Sequence, residues 1–118
     1  MHLACLLSLL LAGCATEVGN FTPLKQGYAA KPAKYPIAVF ATGFPQRPFE
    51  RVAILDVHCE SQGYLTPNLK NDGIPELIEQ ARAAGCDAII EIREKPAPAN
   101  WTFETSVKNY TAAGVAYK

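Results

Sequence analysis

Cysteine and histidine are the side chains in this sequence best suited to metal or redox chemistry. Cys5 and Cys14 lie near the start of the chain, and His58, Cys59 and Cys86 lie in its later part. Thiolate and imidazole groups suit zinc or copper, so the last three residues form a candidate metal site. Three ligands on two elements fall short of the four that close a structural zinc site. In the simpler interpretation, both cysteines fill the core or form a disulfide, and His58 is solvated at the end of a strand.

Motifs of enzyme active sites are missing from the sequence. It contains no nucleophile elbow, phosphate-binding loop, Cys-X-X-Cys pair or His-Glu-X-X-His motif. The carboxylates are scattered, and Glu76 and Glu79 serve the charge balance of a predicted helix. We therefore predict a protein that is not an enzyme and uses no cofactor.

Cys14 follows a short apolar run, residues 3–12. This run is far shorter than the ~20 residues of a membrane-spanning helix, and it matches the central region of a signal peptide. Leu11, Ala12, Gly13 and Cys14 resemble the bacterial lipoprotein signal, in which the cysteine takes a diacylglycerol and becomes the first residue after cleavage. The resemblance implies that Cys14 is lipidated and that Leu11, Ala12 and Gly13 are recognised by the processing machinery.

An ordinary secretion signal is the alternative. Cleavage after Ala15 would then release an unlipidated protein, with Gly13 and Ala15 as the small residues at the cleavage site. The segment before the leucines is only Met1-His2 and has no lysine or arginine, whereas a signal normally begins basic. Either the α-amino group suffices or the start codon lies upstream of Met1, and we favour the second.

The lipoprotein resemblance also implies a location and a class of partner. Ala15 is not the aspartate associated with inner-membrane retention in enteric-type lipoproteins, so we expect the bacterial outer membrane, with the domain facing the periplasm. The membrane itself is then a partner through the acyl chains. Eleven basic residues balance eleven acidic ones, which argues against a nucleic-acid partner because such a protein needs a basic face.

Composition divides the chain into three parts. Residues 1–13 form the signal, and residues 14–36 follow as the lipidated cysteine and a flexible tether. The tether is predicted because its three prolines accompany no strand or helix period, and its random-coil span is roughly 25 Å. Packing of this stretch along the domain, or binding to a partner, is the alternative. Residues 37–118 form one globular domain.

The pattern of the globular domain predicts an α+β fold. One helix begins at Pro75 and ends at Gly85, which suits a left-handed helix stop. The flanking strands are apolar on both faces, which predicts parallel strands joined by a β-α-β crossover. The result is a single mixed sheet of four to five strands with the helix on one face. The predicted strands are residues 37–42, 52–59, 88–92, 101–107 and 110–117, with a tight turn before the last.

Three segments of this domain, residues 48–55, 77–90 and 113–117, look like small bacterial β-α-β domains. These include the YbjQ-like heavy-metal-binding family and the RcsF-like envelope lipoproteins. RcsF-like proteins carry more cysteines in the mature domain, so their disulfide pattern does not transfer. The resemblance implies the fold and an envelope role, and we predict a self-assembly or protein-docking module that acts as a homo-oligomer or with another envelope protein. Metal binding by His58, Cys59 and Cys86 is the alternative.

The cellular compartment and the predicted topology lead to opposite expectations about a disulfide between Cys59 and Cys86. Export argues for a disulfide. Cys59 ends one strand and Cys86 precedes the next, so parallel strands place the two residues at opposite ends of the sheet, beyond the reach of a disulfide. We therefore predict two free thiols, with Cys86 buried beneath the end of the helix and Cys59 the more accessible.

Overall fold

The computed structural model describes residues 16–62, 66–96 and 105–118. These residues form β1 (Thr16–Pro23), β2 (Ala38–Val39), β3 (Phe49–Gln62), a π-helical turn (Leu69–Gly73), α1 (Ile74–Ala83), β4 (Ala88–Lys95) and β5 (Thr105–Tyr117). The strands make one sheet in the order β1-β3-β5-β4-β2, and α1 packs against it. The predicted α+β class, with one mixed sheet and a helix on one face, is confirmed.

Strand directions show how the predicted crossover is arranged. β5 runs antiparallel to both β3 and β4, so β3 and β4 are parallel to each other. α1 joins them in sequence, but β5 lies between them in the sheet. β1 is antiparallel to β3, and β2 is parallel to β4. The crossover is therefore split, because the last strand of the chain separates the two strands that the helix connects.

The helix forms where the sequence predicts it. Pro75 occupies its first turn, where a missing N–H is harmless, and Arg82 lies in its last turn, where a positive charge is favourable. Leu77 and Ala81 face the sheet and are fully buried. Gly85 follows the helix with a φ of 81°, a backbone conformation that favours glycine. The main hydrophobic core lies between this helix and the sheet.

The two ends of the sheet are used as reference points below. Thr16 pairs with Glu60 at one end, which we call the Thr16 end. Phe49 pairs with Tyr117 at the other, which we call the Gly85 end. There the Tyr117 N–H donates to Asp87, two residues after Gly85, at 2.9 Å.

The sheet face opposite α1 is covered only at the Gly85 end. A second apolar cluster lies there, formed by Ala88, Ile90 and Val115 with Ala38, Phe40, Phe49, Ala113 and Tyr117 packed against it. The Arg47 guanidinium lies 4.1 Å from the centre of the Tyr117 ring. Towards the Thr16 end the same face, which we call the open face, is accessible: Val18 is 59% exposed and Ile54 is 41% exposed.

The predicted tether, residues 14–36, is wrong for most of its length. Its first described part is β1, which pairs with β3 over eight residues. The following residues, 24–37, cross to the far edge of the sheet as a strap. The strap N–H of Lys31 donates to the carbonyl of Arg82 at 2.8 Å, at the C-terminal end of α1. The segment therefore belongs to the domain, and the globular domain begins well before residue 37.

Edge-strand composition explains this error. The open-face side of β1 carries Val18, Asn20 and Thr22, which shows no apolar alternation because that face meets solvent. Its helix-facing side carries Gly19, where a Cβ atom would lie 2.7 Å from the Glu76 carboxylate. α1 passes close by, so a larger residue there would displace the Glu76 and Gln80 side chains. The apolar contribution of β1 is mainly Phe21, which packs against the core.

The prediction of two separate C-terminal strands, residues 101–107 and 110–117, is also wrong. Residues 105–117 form a single strand of thirteen residues. The predicted turn at Lys108 and Asn109 is absent, because these residues pair with Cys59 and His58 of β3. A long partner strand overrides the local turn preference of Asn109.

The predicted signal residues and Cys14 lie outside the described residues. Within the described ranges, α1 and the π-helical turn are both too short to cross a bilayer.

Candidate functional site

The three residues of the candidate metal site do not come together. His58 and Cys59 are neighbours on β3 and project to opposite faces of the sheet: His58 to the open face and Cys59 into the core. Cys86 lies against Gly114, whereas Cys59 pairs with Lys108, so roughly 20 Å of β5 separates the two thiols. Among residues 16–62, 66–96 and 105–118, no three histidine, cysteine or acidic side chains group as metal ligands.

Both cysteines of the described domain are free thiols in the core. The prediction that they do not pair is confirmed, and for the geometric reason given. The prediction that Cys59 is the more accessible is wrong, because both residues are 0% exposed. Burial raises the pKa of each thiol to about 11. At neutral pH they are therefore protonated and poorly nucleophilic.

His58 lies on the open face, held by hydrogen bonds on both sides of its ring. Its Nδ1 is 2.5 Å from Asn109 Oδ1, and its Nε2 is 2.8 Å from Glu60 Oε1. The hydrogen bond to Glu60, followed by that to Asn109, raises the pKa of His58. Two oxygen acceptors favour the doubly protonated form of the ring.

A shallow cleft of about 450 Å³ surrounds His58 on the open face, near the Thr16 end. Lys95 and Asp56 line it as an ion pair, with Nζ and Oδ1 at 2.8 Å. Four polar side chains of the lining are thus paired, His58 with Asn109 and Lys95 with Asp56, and the nearby Cys59 thiol faces away from the cleft. The cleft can offer hydrogen bonds and charge to a visiting group, but its described lining supplies no activated nucleophile.

The most distinctive feature of the Thr16 end is the outer edge of β1. β1 has eight residues and, in the described structure, pairs with β3 alone. It carries neither lysine nor arginine, and its only proline, Pro23, is its last residue. Edge strands are usually kept from pairing by such charges, by proline or by short length. The opposite edge follows this rule, because β2 is only two residues long.

Acidic side chains flank the β1 edge on the helix side. Burial, followed by hydrogen bonding with Asp72 and repulsion from Asp72 and Glu76, raises the pKa of Glu17. The ionised form of Glu17 is therefore disfavoured there. The same carboxylates add to the burial that raises the pKa of Cys59. This edge thus carries negative charge that a cationic partner would stabilise.

Sequence reasoning missed this edge. The signal that could have found it is the short run Val18, Phe21 and Thr22 of strand-favouring residues closed by Pro23, which suits the end of an edge strand. Comparison of the chain with family models, curated proteins and solved structures gives no match. The resemblance to YbjQ-like and RcsF-like domains stays a prediction.

Proposed function

We propose that this protein is a non-enzymatic lipoprotein of the bacterial outer membrane whose domain docks another envelope protein. The docking site is the outer edge of β1, which accepts an extended segment of the partner. The observation that supports this proposal is the eight-residue edge strand, whose backbone groups on the outer side have no strand partner in the described structure.

Strand addition suits such an edge for a physical reason. An added strand forms backbone hydrogen bonds at the edge, and its alternate side chains contact the two faces of the sheet. On the open face, the side chains of an added segment would meet Val18, the most exposed large apolar residue described. On the helix face they would meet Glu17, with Asp72 and Glu76 beside it.

Charge favours a basic partner segment. A lysine or arginine opposite Glu17 would offset the repulsion among the three carboxylates, whereas an acidic segment would increase it. Binding should therefore weaken with salt. A second copy of this chain would bring β1 against β1 and supply no cation from that strand, so a different, basic protein is the favoured occupant.

Photo-crosslinking tests the docking site. A photoreactive amino acid replaces Val18 in the full chain, expressed in a Gram-negative host, and the matched control replaces Ile54, which is exposed on the same face but lies on the inner strand β3. We expect an adduct with another envelope protein at position 18 and none at position 54. An adduct with a second copy would favour self-assembly instead, and equal yields at both positions would reject the edge as the docking site.

The anchor is tested separately. The lipoprotein signal Leu11-Ala12-Gly13-Cys14 supports acylation, and at least two acyl chains give stable membrane attachment. We expect the protein to partition into detergent and to lose this behaviour in Cys14→Ser. Mass spectrometry of the mature N-terminus decides the matter, because an unmodified start at Ala15 or Thr16 would exclude lipidation.

A further inference from the structure

We infer that the Thr16 end of the sheet is held close to the lipid headgroups, with the Gly85 end further from the membrane. The partner is the surface of the same bilayer that holds the acyl chains. This inference rests on the lipidation of Cys14 in the proposed function and adds the orientation of the domain.

The first step is the length of chain between the anchor and the fold. Cys14 is two residues before Thr16, and Thr16 already pairs with Glu60. Two extended residues reach about 7 Å at most. A flexible tether as long as residues 15–36 would have spanned roughly 25 Å. The fold therefore begins within about one headgroup layer of the lipidated residue.

The second step is that β1 is firmly attached to the rest of the domain. It pairs with β3 along all eight residues, and the Leu24 N–H extends the attachment by donating to Val52 at 2.8 Å. Phe21 packs into the main core. Lengthening the tether would require these contacts to break, so the short attachment is maintained in the folded state.

The third step is the direction in which the sheet leaves the membrane. Along β3, Glu60 pairs with Thr16, whereas Phe49 at the other end pairs with Tyr117. Eleven residues of strand separate Glu60 from Phe49, which corresponds to roughly 36 Å. Glu60 and the adjacent Ser61 therefore lie close to the headgroups, while Tyr117 and Lys118 lie far from them.

This orientation constrains docking. The start of β1, with Glu17 and Val18, is the part of the strand nearest the lipid. A partner strand that pairs with β1 must therefore approach close to the headgroups at that point. The cleft around His58 lies near the headgroups as well, because His58 pairs with Val18.

Fluorescence quenching by lipid headgroups tests the orientation. The full-length lipidated protein is placed in phosphatidylcholine nanodiscs that contain nitroxide-labelled headgroups. A fluorophore is attached through Glu60→Cys or, as the matched distal control, Lys118→Cys; the native Cys59 and Cys86 are buried and stay unlabelled. We expect quenching several-fold stronger at position 60 than at position 118.

A linker variant completes the test. Twelve glycine and serine residues inserted between Ala15 and Thr16 add a random-coil span of about 20 Å, and we expect the quenching at position 60 to fall towards that at position 118. Equal quenching at positions 60 and 118 in the original chain would overturn the orientation without affecting the anchor. Quenching at position 60 that stays unchanged in the linker variant would do the same. Failure of the protein to float with lipid vesicles would instead overturn the anchor, and this inference with it.

Discussion

The two ends of the sheet differ in how their charged side chains are paired and in how closely their residues pack. At the Gly85 end, Asp87 accepts hydrogen bonds from Tyr35 and from the Tyr117 N–H and lies 3.5 Å from Lys31. At the Thr16 end, Glu17 meets other carboxylates instead. Charges are thus paired where the strap closes the fold. At the start of β1 they are paired on the open face, where Glu60 contacts His58, but carboxylates lie together on the helix side. This difference is what the proposed docking at β1 would use.

Individual glycines near the two ends also differ in what surrounds them. A Cβ atom added to Gly85 would lie 2.6 Å from the carbonyl oxygen of Ala29, and one added to Gly114 would lie 2.5 Å from the Cys86 sulfur. The first obstacle is backbone, and the second is a fully buried sulfur. At the Thr16 end, a Cβ atom on Gly19 would meet side-chain atoms of Glu76 and Gln80, which are partly exposed and can move.

The largest expected effect comes from deleting the N-terminal segment that runs between the two ends of the sheet. Deletion of residues 15–34 removes all of β1, including Phe21, and it removes the strap contact of Lys31 with Arg82. We expect the free energy of unfolding to fall by about 3 kcal/mol or more, equivalent to a loss of roughly 15 °C in Tm. Thermal unfolding followed by circular dichroism measures this. An unchanged Tm would mean that the segment is a tether after all.

A matched pair of glycine substitutions compares packing at the two ends. Gly114→Ala should destabilise the domain by about 1–3 kcal/mol, because the new methyl group overlaps the Cys86 sulfur in a fully buried site. Gly19→Ala should cost clearly less. Urea unfolding measures both variants, and the double variant Gly114→Ala/Cys86→Ala should recover part of the loss. Equal losses at Gly114 and Gly19 would remove the distinction in packing.

Substitution of Asp87 tests the contribution of the paired charge at the Gly85 end. Burial alone would raise the pKa of Asp87, but hydrogen bonds from Tyr35 and Tyr117 together with Lys31 hold the pKa below its usual value. Asp87 therefore stabilises the fold above its unfolded pKa, and this contribution is lost as the pH falls through the lowered folded pKa. We expect Asp87→Asn to cost about 1.5 kcal/mol near pH 7 and progressively less towards pH 3 or below. Urea titrations across this range would show a constant difference if the pairing were unimportant.

Substitution of Glu17 should change the free energy of unfolding in the opposite direction to that of Asp87 and by the smallest amount. Its folded pKa is raised, so ionisation destabilises the fold above that pKa, and the penalty vanishes below the unfolded pKa. We expect Glu17→Gln to raise the free energy of unfolding by up to about 0.5 kcal/mol near pH 7, with no gain near pH 3. Glu79→Gln is the control, because Glu79 pairs with Arg82 at 2.8 Å and its replacement should not stabilise the fold. A loss of stability in Glu17→Gln would contradict the repulsion among the carboxylates on the helix side.

The parts of the fold that could be read from the sequence are those whose residues carry their own signal. The helix shows an apolar period with Pro75 and Gly85 at its ends, and the strands at Val52 and Ile89 are apolar on both faces because they lie inside the sheet. β1 could not be read in this way, because an edge strand facing solvent needs no apolar alternation. β5 was divided because Asn109 favours turns locally, and only its pairing with His58 keeps the strand continuous.

The same limits apply to the candidate site. Parallel strands at known positions were enough to separate Cys59 from Cys86. The accessibility of Cys59 depends on β1 and α1. Because β1 is not predicted from the sequence, its contribution to the burial of Cys59 is not predicted either. The open edge of β1 was missed for the same reason, since an edge exists only once the strand that forms it is recognised.

The position of β5 in the sheet affects the order in which the chain can fold. β5 is the last strand that the structure describes, yet it lies in the middle of the sheet and pairs with both β3 and β4. A chain that emerges from its N-terminus cannot complete the sheet until its final residues are free, and such long-range pairing makes folding slow. For the exported lipoprotein proposed above, this delay would keep the chain unfolded, and so able to pass through a narrow channel, until residues 105–117 have crossed the membrane.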